Sequence, residues 1–270
     1  MIHDAPYLTI SDRVILRDFL GRFGIDAGDG VGALIPKVAA AFSHVPYENL
    51  TKIIKADALV NPQSAMRLPD EVIGDYLRWG TGGTCFSLTA AITAVYDALG
   101  VPAYPILADR HYGADTHSGV IIQHNAELYI IDPGYLLFTP VPLAGGASTF
   151  IDTGTNTLEL KPLAGGDRVE LYTIRGRDRK LRLTYKITPV DAMRLARVWE
   201  ASFAWEMMTY PVLTKRAGGA QRYFQGSKFM VYTLNGSSKK VVDGDDKAKV
   251  IAASFGIDPN IIRKALEIVG

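Results

Sequence analysis

The chain is poor in cysteine, in net charge and in long apolar runs, and each absence excludes a class of protein. A single cysteine, Cys85, cannot form an internal disulfide, and no CxxC pair is present for a zinc site; we expect no metal. The 29 basic and 28 acidic residues leave a net charge of +1, so no nucleic-acid partner and no membrane surface are indicated. No apolar run reaches the roughly 18 residues that a membrane span needs.

The start of the sequence is also without the pattern of a secretory signal. Residues Met1 to Pro6 contain no basic segment that leads into an apolar stretch. A lone thiol fits a reducing compartment, so a cytoplasmic location is expected. With 270 residues, 48% of them hydrophobic, the chain is long enough for a sizeable core.

Hydrophobic periodicity changes along the chain and predicts an α+β fold. Residues 1–100 read mainly as helices, residues 101–188 as short strands of a barrel or curled sheet, and residues 189–270 as helix, hairpin and helices. The predicted helices of the first part are Arg13–Phe23, Val31–Phe42, Pro69–Trp79 and Phe86–Leu99. Later helices are predicted from Pro189 to about Met208, from Asp245 to Phe255 and from Asp258 to Val269, with a hairpin around Asn235-Gly236.

Cys85 stands between a glycine cluster and the start of an apolar helix, in Gly82-Gly83-Thr84-Cys85-Phe86. Glycines permit close approach of the backbone, and a helix N-terminus stabilises a thiolate and lowers the pKa of a thiol. This is the placement of a nucleophile. A lone cysteine is, however, more often a buried small hydrophobe, and the residues by themselves leave both readings open.

A cysteine nucleophile needs a base and a group that orients the base. The strands Gly119–Gln123 and Leu128–Ile131 form a predicted hairpin, with His117 before the first strand and Asp132 after the second. A turn centred on His124 and Asn125 places His117 directly opposite Asp132, on one face of the sheet. A register slip of one residue would break the pairing.

Ordered motifs make the chain similar to the arylamine N-acetyltransferase family. Thr81-Gly82-Gly83-Thr84-Cys85 resembles its Arg-Gly-Gly-x-Cys motif, and Val45-Pro46-Tyr47-Glu48-Asn49-Leu50 resembles its Ile-Pro-Phe-Glu-Asn-Leu segment. His117-Ser118-Gly119-Val120-Ile121 resembles its histidine strand, and Tyr129-Ile130-Ile131-Asp132-Pro133-Gly134 the segment with its aspartate. The motifs stand in family order over nearly the whole chain.

The resemblance implies a catalytic triad in which Cys85 accepts an acyl group, His117 is its base and Asp132 orients the base. It also implies three domains: a helical domain over 1–100, a β-barrel over 101–188 and a C-terminal α/β lid over 189–270. The implied reaction is ping-pong acyl transfer from acetyl-CoA, used as a cosubstrate rather than a resident cofactor, to an arylamine-type amine.

Several departures from the family motifs mark a divergent member. Thr81 stands where the family has an arginine that pairs with the glutamate corresponding to Glu48, and Arg78 is the expected substitute partner. Ser87 and Thr89 replace the family's Glu and Asn after the cysteine. A preserved reaction is therefore more firmly expected than a preserved substrate.

Three other functions stay open from the sequence. The triad would equally serve an amide synthase using another thioester, or a transglutaminase-like or hydrolytic enzyme; an inert Cys85 would leave a binding protein of the same fold. Lys215, Arg216 and Arg222, beside Gly218-Gly219, predict a solvated basic loop rather than a binding site for CoA phosphates.

Overall fold

A computed structural model of the chain describes residues 6–59 and 61–270, with only the backbone at position 62. The α-helices are α1 (Arg13–Arg22), α2 (Val31–Phe42), α3 (Leu50–Ala58), α4 (Pro62–Ala65), α5 (Pro69–Trp79), α6 (Cys85–Ala98), α7 (Ala192–Ala201), α8 (Asp246–Phe255) and α9 (Pro259–Val269). The first strands are β1 (Tyr47–Glu48), β2 (Ala103–Arg110), β3 (Gly113–His124), β4 (Glu127–Asp132), β5 (Leu137–Pro142), β6 (Thr149–Asp152) and β7 (Thr157–Pro162). The later strands are β8 (Arg168–Arg175), β9 (Asp178–Lys186), β10 (Val212–Ala217), β11 (Ala220–Gln225), β12 (Lys228–Thr233) and β13 (Gly236–Val241).

Eight antiparallel strands form a nearly closed barrel in the order β5-β4-β3-β2-β9-β8-β7-β6. Burial alternates along β8, as expected when one face of a strand points to a core and the other to solvent. The barrel core is built from inward-facing aliphatic side chains and a tyrosine, and it includes Ile106, Ile121, Ile130, Leu158, Leu171, Leu183 and Tyr185.

Helices α2 and α5 and strands β2 and β3 pack against α6, which is buried on every side from Cys85 to Tyr96. Most of its residues are apolar because no face of the helix reaches water. The Tyr96 hydroxyl donates a 2.7 Å hydrogen bond to the Ile35 carbonyl of α2, so its polar end is satisfied inside the core. The first residue of α6 is thereby held in a fixed place against its neighbours.

A second antiparallel sheet joins the beginning of the chain to its end, in the order β1-β10-β11-β12-β13. Asn49 follows β1, and its side chain donates to the carbonyls of Met207 and Tyr210, at 2.5 and 2.8 Å. Its Oδ1 accepts from the Val212 N–H at 2.7 Å. One buried amide thus ties the segment upstream of Cys85 to the C-terminal residues.

The predicted α+β fold with a central barrel is confirmed. Helix α3 and strand β1 were not predicted, and α7 begins only at Ala192, where the Asp191 carboxylate caps the Arg194 N–H. The hairpin of β12 and β13 turns at Leu234-Asn235, one residue earlier than predicted. The division into three domains stays a prediction. Over the described residues, no helix combines the length and apolar character of a membrane span.

Candidate active site

Cys85 is the first residue of α6, and only 3% of its surface is exposed. Thr84 precedes it at the N-cap position, but its side chain caps none of the first N–H groups. The Thr84 hydroxyl is buried and has no hydrogen-bond partner in the described part of the chain. The thiol therefore lies at a helix terminus whose partial positive charge favours S⁻.

The glycine cluster lets the loop before Cys85 run in contact with β1. A methyl group at Gly82 would lie 1.8 Å from the Pro46 carbonyl oxygen, and one at Gly83 would lie 2.2 Å from the Ser87 Oγ. The Glu48 N–H donates a 3.0 Å hydrogen bond to the Gly83 carbonyl. Any side chain at these two positions would push the loop away, so the glycines fix the position of Cys85.

Arg67, and not Arg78, supplies the charge that the sequence motif lacks. The Arg67 guanidinium lies 3.6 Å from the Glu48 carboxylate, and both side chains are almost fully buried. It donates to the Gly82 carbonyl and to the Asp75 carboxylate, each at 2.5 Å. The Arg78 guanidinium instead lies over the Trp79 ring, 5.3 Å from its centre. A loop between α4 and α5 thus replaces the missing arginine at Thr81.

Hairpin β3–β4 brings His117 and Asp132 together, although its register differs from the predicted one. The turn is Asn125-Ala126, both with positive φ, as in the tight turns that suit twisted hairpins. Val120 pairs with Ile131, so Asp132 is diagonal to His117 rather than directly opposite. The shift is two residues, which keeps both side chains on the same face.

Asp132 is fully buried and accepts three hydrogen bonds. His117 Nε2 lies 2.6 Å from Oδ2, the Tyr185 hydroxyl donates to the same oxygen at 2.6 Å, and the Tyr135 N–H donates to Oδ1 at 2.8 Å. Sequence reasoning missed Tyr185, since the pattern of a strand reveals only that it faces inward. With its Nε2 proton donated to the carboxylate, the neutral His117 ring presents an acceptor at Nδ1.

Cys85 and His117 meet at Gly134. A methyl group there would lie 2.7 Å from the Cys85 Cβ and 3.1 Å from the His117 Cε1. Burial raises the pKa of the Cys85 thiol, but the charge of His117 and its hydrogen bond outweigh burial and bring that pKa below its ordinary value. Burial lowers the pKa of His117, but Asp132 and Cys85 raise it to about 8. The two shifts together favour a thiolate–imidazolium pair.

Arg110 is a further residue of this site that the sequence did not single out. It ends β2, and its Nη2 lies 2.8 Å from the His117 Nδ1. Its positive charge also lowers the pKa of the Cys85 thiol. No motif marks an arginine at the end of a strand, so only its position in space connects it to Cys85.

The substituted motif positions serve the packing of α6. The Ser118 hydroxyl of β3 donates to the Thr89 Oγ1 at 3.1 Å, which fastens the histidine strand to the cysteine helix. The Ser87 hydroxyl donates to the Thr84 carbonyl at 3.0 Å. The two departures after the cysteine are thus accommodated by hydrogen bonds, whereas the Thr81 hydroxyl is buried without a partner in the described residues.

A cleft of about 510 Å³ opens beside Gly134 and Arg110. Its walls carry tyrosines and cations, among them Tyr47, Tyr135, Tyr223, Arg175, Arg182 and Arg216. Lys215 and Arg216 belong to β10 and Arg222 belongs to β11, and all three are half-buried, so the predicted solvated loop is wrong for these residues. In the described residues, no group of three or more His, Cys, Asp or Glu is placed to hold a metal ion.

Comparison with solved structures places this architecture among known folds. An arylamine N-acetyltransferase from Mycobacterium abscessus superimposes with a TM-score of 0.78 at 16% identity, covering 94% of each chain. One from Mycobacterium marinum, in complex with CoA, gives 0.77 at 16% identity over 94% of this chain and 98% of the other. No protein-family model and no curated protein sequence matches the chain.

The chain has the arylamine N-acetyltransferase fold. The resemblance seen in the sequence motifs therefore extends to the whole architecture, at a low level of identity. A Bacillus cereus arylamine N-acetyltransferase, 18% identical with a TM-score of 0.72 over 92% of this chain and all of the other, is described with a unique Cys-His-Glu catalytic triad. In this chain, the carboxylate beside His117 is that of Asp132.

Replacing Arg67 is expected to destabilise the protein because Glu48 would remain buried without its cation. We expect Arg67→Met to lower the free energy of unfolding by about 3–5 kcal/mol, the usual cost of breaking a buried pair from one side. Arg78→Met, at an exposed position, is the matched control and should change it by less than about 0.5 kcal/mol. Urea unfolding measures both, and equal effects would contradict the assignment of Arg67.

Adding a methyl group at Gly134 should disturb the site directly. Gly134→Ala forces the Cys85 backbone to move and is expected to cost about 1–3 kcal/mol of stability and to slow alkylation of the thiol. Gly21→Ala is the control, since that helical position has no atom within 4 Å of the added methyl group in the described residues. The control should be stabilising by about 0.5–1 kcal/mol. A Gly134→Ala protein as stable and reactive as the unchanged one would contradict the close packing.

The pH profile of Cys85 alkylation tests the electrostatics of the pair. Because His117 favours the thiolate, iodoacetamide should react with Cys85 at a lower pH than with a free cysteine. In His117→Ala, burial is no longer offset by the imidazolium, so the apparent pKa should rise. His124→Ala, at the hairpin end of β3, should leave the profile unchanged. An unshifted profile in His117→Ala would separate Cys85 from this histidine.

Proposed function

We propose that this chain is an acyltransferase of the arylamine N-acetyltransferase family, with Cys85 as nucleophile, His117 as base and Asp132 as orienting group. The observation that carries the proposal is the position of His117, which is hydrogen-bonded to a buried carboxylate and shares Gly134 as a neighbour with the only thiol. A nucleophile, a base and an orienter in this order are what covalent acyl transfer requires.

In the first half-reaction, the Cys85 thiolate attacks the carbonyl carbon of an acyl-CoA thioester. The S–C bond to Cys85 forms, the bond to the CoA sulfur breaks, and His117 gives its proton to the departing thiolate. Free N–H groups at the start of α6 are suited to stabilise the oxyanion, since Thr84 does not cap them. The product of this step is an acyl-cysteine.

In the second half-reaction, an amine attacks the acyl-cysteine. The new C–N bond forms, the bond to Cys85 breaks, and the His117 Nδ1 takes the proton of the amine. Asp132 holds the ring through Nε2, so the same nitrogen faces the reacting atoms in both halves. The groups used are side chains and backbone N–H groups of the chain itself, and the proposal includes no resident cofactor.

The choice of acetyl-CoA and an arylamine is supported by fold and cleft together. The Mycobacterium marinum protein of the same fold was solved with CoA. Tyr47, Tyr135 and Tyr223 line the cleft beside Gly134 and offer aromatic faces to an aromatic amine. We place the protein in the cytoplasm, where a single catalytic thiol stays reduced.

Mass spectrometry after incubation with acetyl-CoA tests the function. We expect one acetyl group on Cys85, removed on addition of an aromatic amine, with the acetylated amine as product. Cys85→Ser should take up no acetyl group, whereas Arg78→Met, at the exposed end of α5, should be acetylated at the unchanged rate.

The alternatives give different results in the same experiment. An adduct that disappears at the same rate without an amine indicates a hydrolase. An adduct formed only from other thioesters indicates an amide synthase. No adduct from any short acyl-CoA contradicts the acyltransferase and favours an inert binding protein.

A further inference from the structure

Tyr47 is fixed beside the glycine loop that leads into Cys85. It lies in β1, where its backbone forms a parallel bridge with Gly83. The Gly83 N–H donates to the Pro46 carbonyl at 3.3 Å. The Glu48 N–H donates to the Gly83 carbonyl at 3.0 Å, so both chain neighbours of Tyr47 are held by the loop. Tyr47 therefore cannot move relative to the start of α6 without breaking this bridge.

The side chain of Tyr47 belongs to the wall of the cleft. Successive side chains of a strand point to opposite faces, and Glu48 points to Arg67, so Tyr47 points the other way. Tyr47 pairs with Thr214 of β10, and Thr214 pairs with Tyr223 of β11. The three side chains lie in one row, and all of them line the cleft. Within this wall, only 7% of the surface of Tyr47 is exposed.

The Tyr47 hydroxyl has no partner inside the protein. It makes no hydrogen bond with any of the described residues, whereas the Tyr223 hydroxyl donates to the Gln225 Oε1 at 3.2 Å. The arylamine N-acetyltransferase motif has phenylalanine at the position of Tyr47, so packing of the ring does not require the hydroxyl. A buried donor without an acceptor is costly, and an acceptor that arrives with the substrate removes that cost.

The phenol lies close to the reacting thiol. Burial raises the pKa of Tyr47 well above its ordinary value, the charge of Cys85 raises it further, and the charge of Arg110 lowers it. Burial lowers the pKa of Arg110, but the charges of Cys85 and Tyr47 raise it. Because such interactions weaken with distance, the three groups are neighbours in the cleft. At neutral pH the phenol keeps its proton and is a hydrogen-bond donor.

We propose that Tyr47 is a further catalytic residue, whose hydroxyl donates a hydrogen bond to the acyl oxygen when Cys85 attacks the acyl carbon. The inference rests on the proposed function and adds to it a side-chain donor for the oxyanion. A donor that is fixed in place before the reaction stabilises the developing charge without any reorganisation.

The hydrogen bond leaves the proton transfers of His117 unchanged. When the thiolate adds to the carbonyl carbon, the π electrons of the C=O bond move to the oxygen, which becomes an oxyanion. Tyr47 donates its hydrogen bond to this oxygen and keeps its proton. The electrons return to the C=O bond when the CoA thiolate leaves, or when Cys85 leaves in the second half-reaction.

The acylation rate of Tyr47→Phe tests the inference. With p-nitrophenyl acetate as donor, the released p-nitrophenolate reports each acetyl group transferred to Cys85, and no CoA is involved. We expect Tyr47→Phe to slow this step about a hundredfold, as removal of one oxyanion donor does.

Tyr104→Phe is the matched control for the loss of a hydroxyl. It removes a half-buried phenol hydroxyl that also lacks a partner among the described residues. Tyr104 stands near the start of β2, about 20 Å along the strand from Arg110. The control should be acylated at the unchanged rate.

Alkylation separates an effect on the oxyanion from an effect on the thiol. Iodoacetamide reacts at a saturated carbon and expels iodide, so the attacked carbon carries no oxyanion. Tyr47→Phe should therefore be alkylated at the unchanged rate and with the unchanged pH profile. Its urea unfolding should also match that of the unchanged protein, because the lost hydroxyl has no partner to leave unsatisfied.

Each other outcome contradicts a stated part of the inference. Equal acylation of Tyr47→Phe and the unchanged protein overturns it, and so does an equal loss of acylation and alkylation, which would place the effect at the thiol. If the ester acylates Cys85 and no acyl-CoA does, the proposed acyltransferase is contradicted, while a hundredfold loss with the ester still supports Tyr47. A Cys85 that iodoacetamide alkylates but neither donor acylates overturns both proposals.

Discussion

The buried carboxylate of Asp132 is the constraint on which the site depends. It is removed from water and satisfied by His117 of β3, Tyr185 of β9 and the N–H of Tyr135. A charge so placed is tolerated only when each lone pair is met, so the barrel must close with these donors in position. The orientation of His117 then follows, since its Nε2 proton has one acceptor and its ring can turn only at the loss of that bond.

The buried carboxylate of Glu48 positions the loop that leads into Cys85. Glu48 accepts from the Thr51 hydroxyl and N–H and from the Gly82 N–H, while Arg67 lies beside it. The carboxylate of β1 and the guanidinium of the loop between α4 and α5 thereby fix the glycine turn that precedes Cys85. The thiol and the imidazole are placed by two independent networks, one in the helices and one in the barrel, which meet at Gly134.

Site residues whose positions follow from the local sequence pattern could be predicted from the sequence. Site residues whose partners are distant in sequence could not. Cys85 stands at a helix start that its glycines and the following apolar residues mark in the sequence. His117 and Asp132 lie on the two strands of a hairpin. A two-residue error in the predicted register kept them on one face, because the side chains of a strand alternate with a period of two. Arg67 is a long side chain that extends from a loop. Tyr185 and Arg110 lie on strands, and the alternation of a strand indicates only on which face of the sheet a side chain lies. Their partners are distant in sequence and are fixed by tertiary packing alone.

The same geometry that prepares His117 also restrains it. A cation at Nδ1 opposes protonation of the ring, while Asp132 and the thiolate favour it, so the charge of His117 depends on where the Arg110 guanidinium lies. The Arg110 guanidinium in turn lies in the field of the thiolate, and the negative charges of Cys85 and of the nearby tyrosines outweigh burial and raise the pKa of Arg110 above its ordinary value. The carboxylate and the thiolate outweigh burial and the guanidinium, so the pKa of His117 lies at about 8 and the ring is charged beside the thiolate.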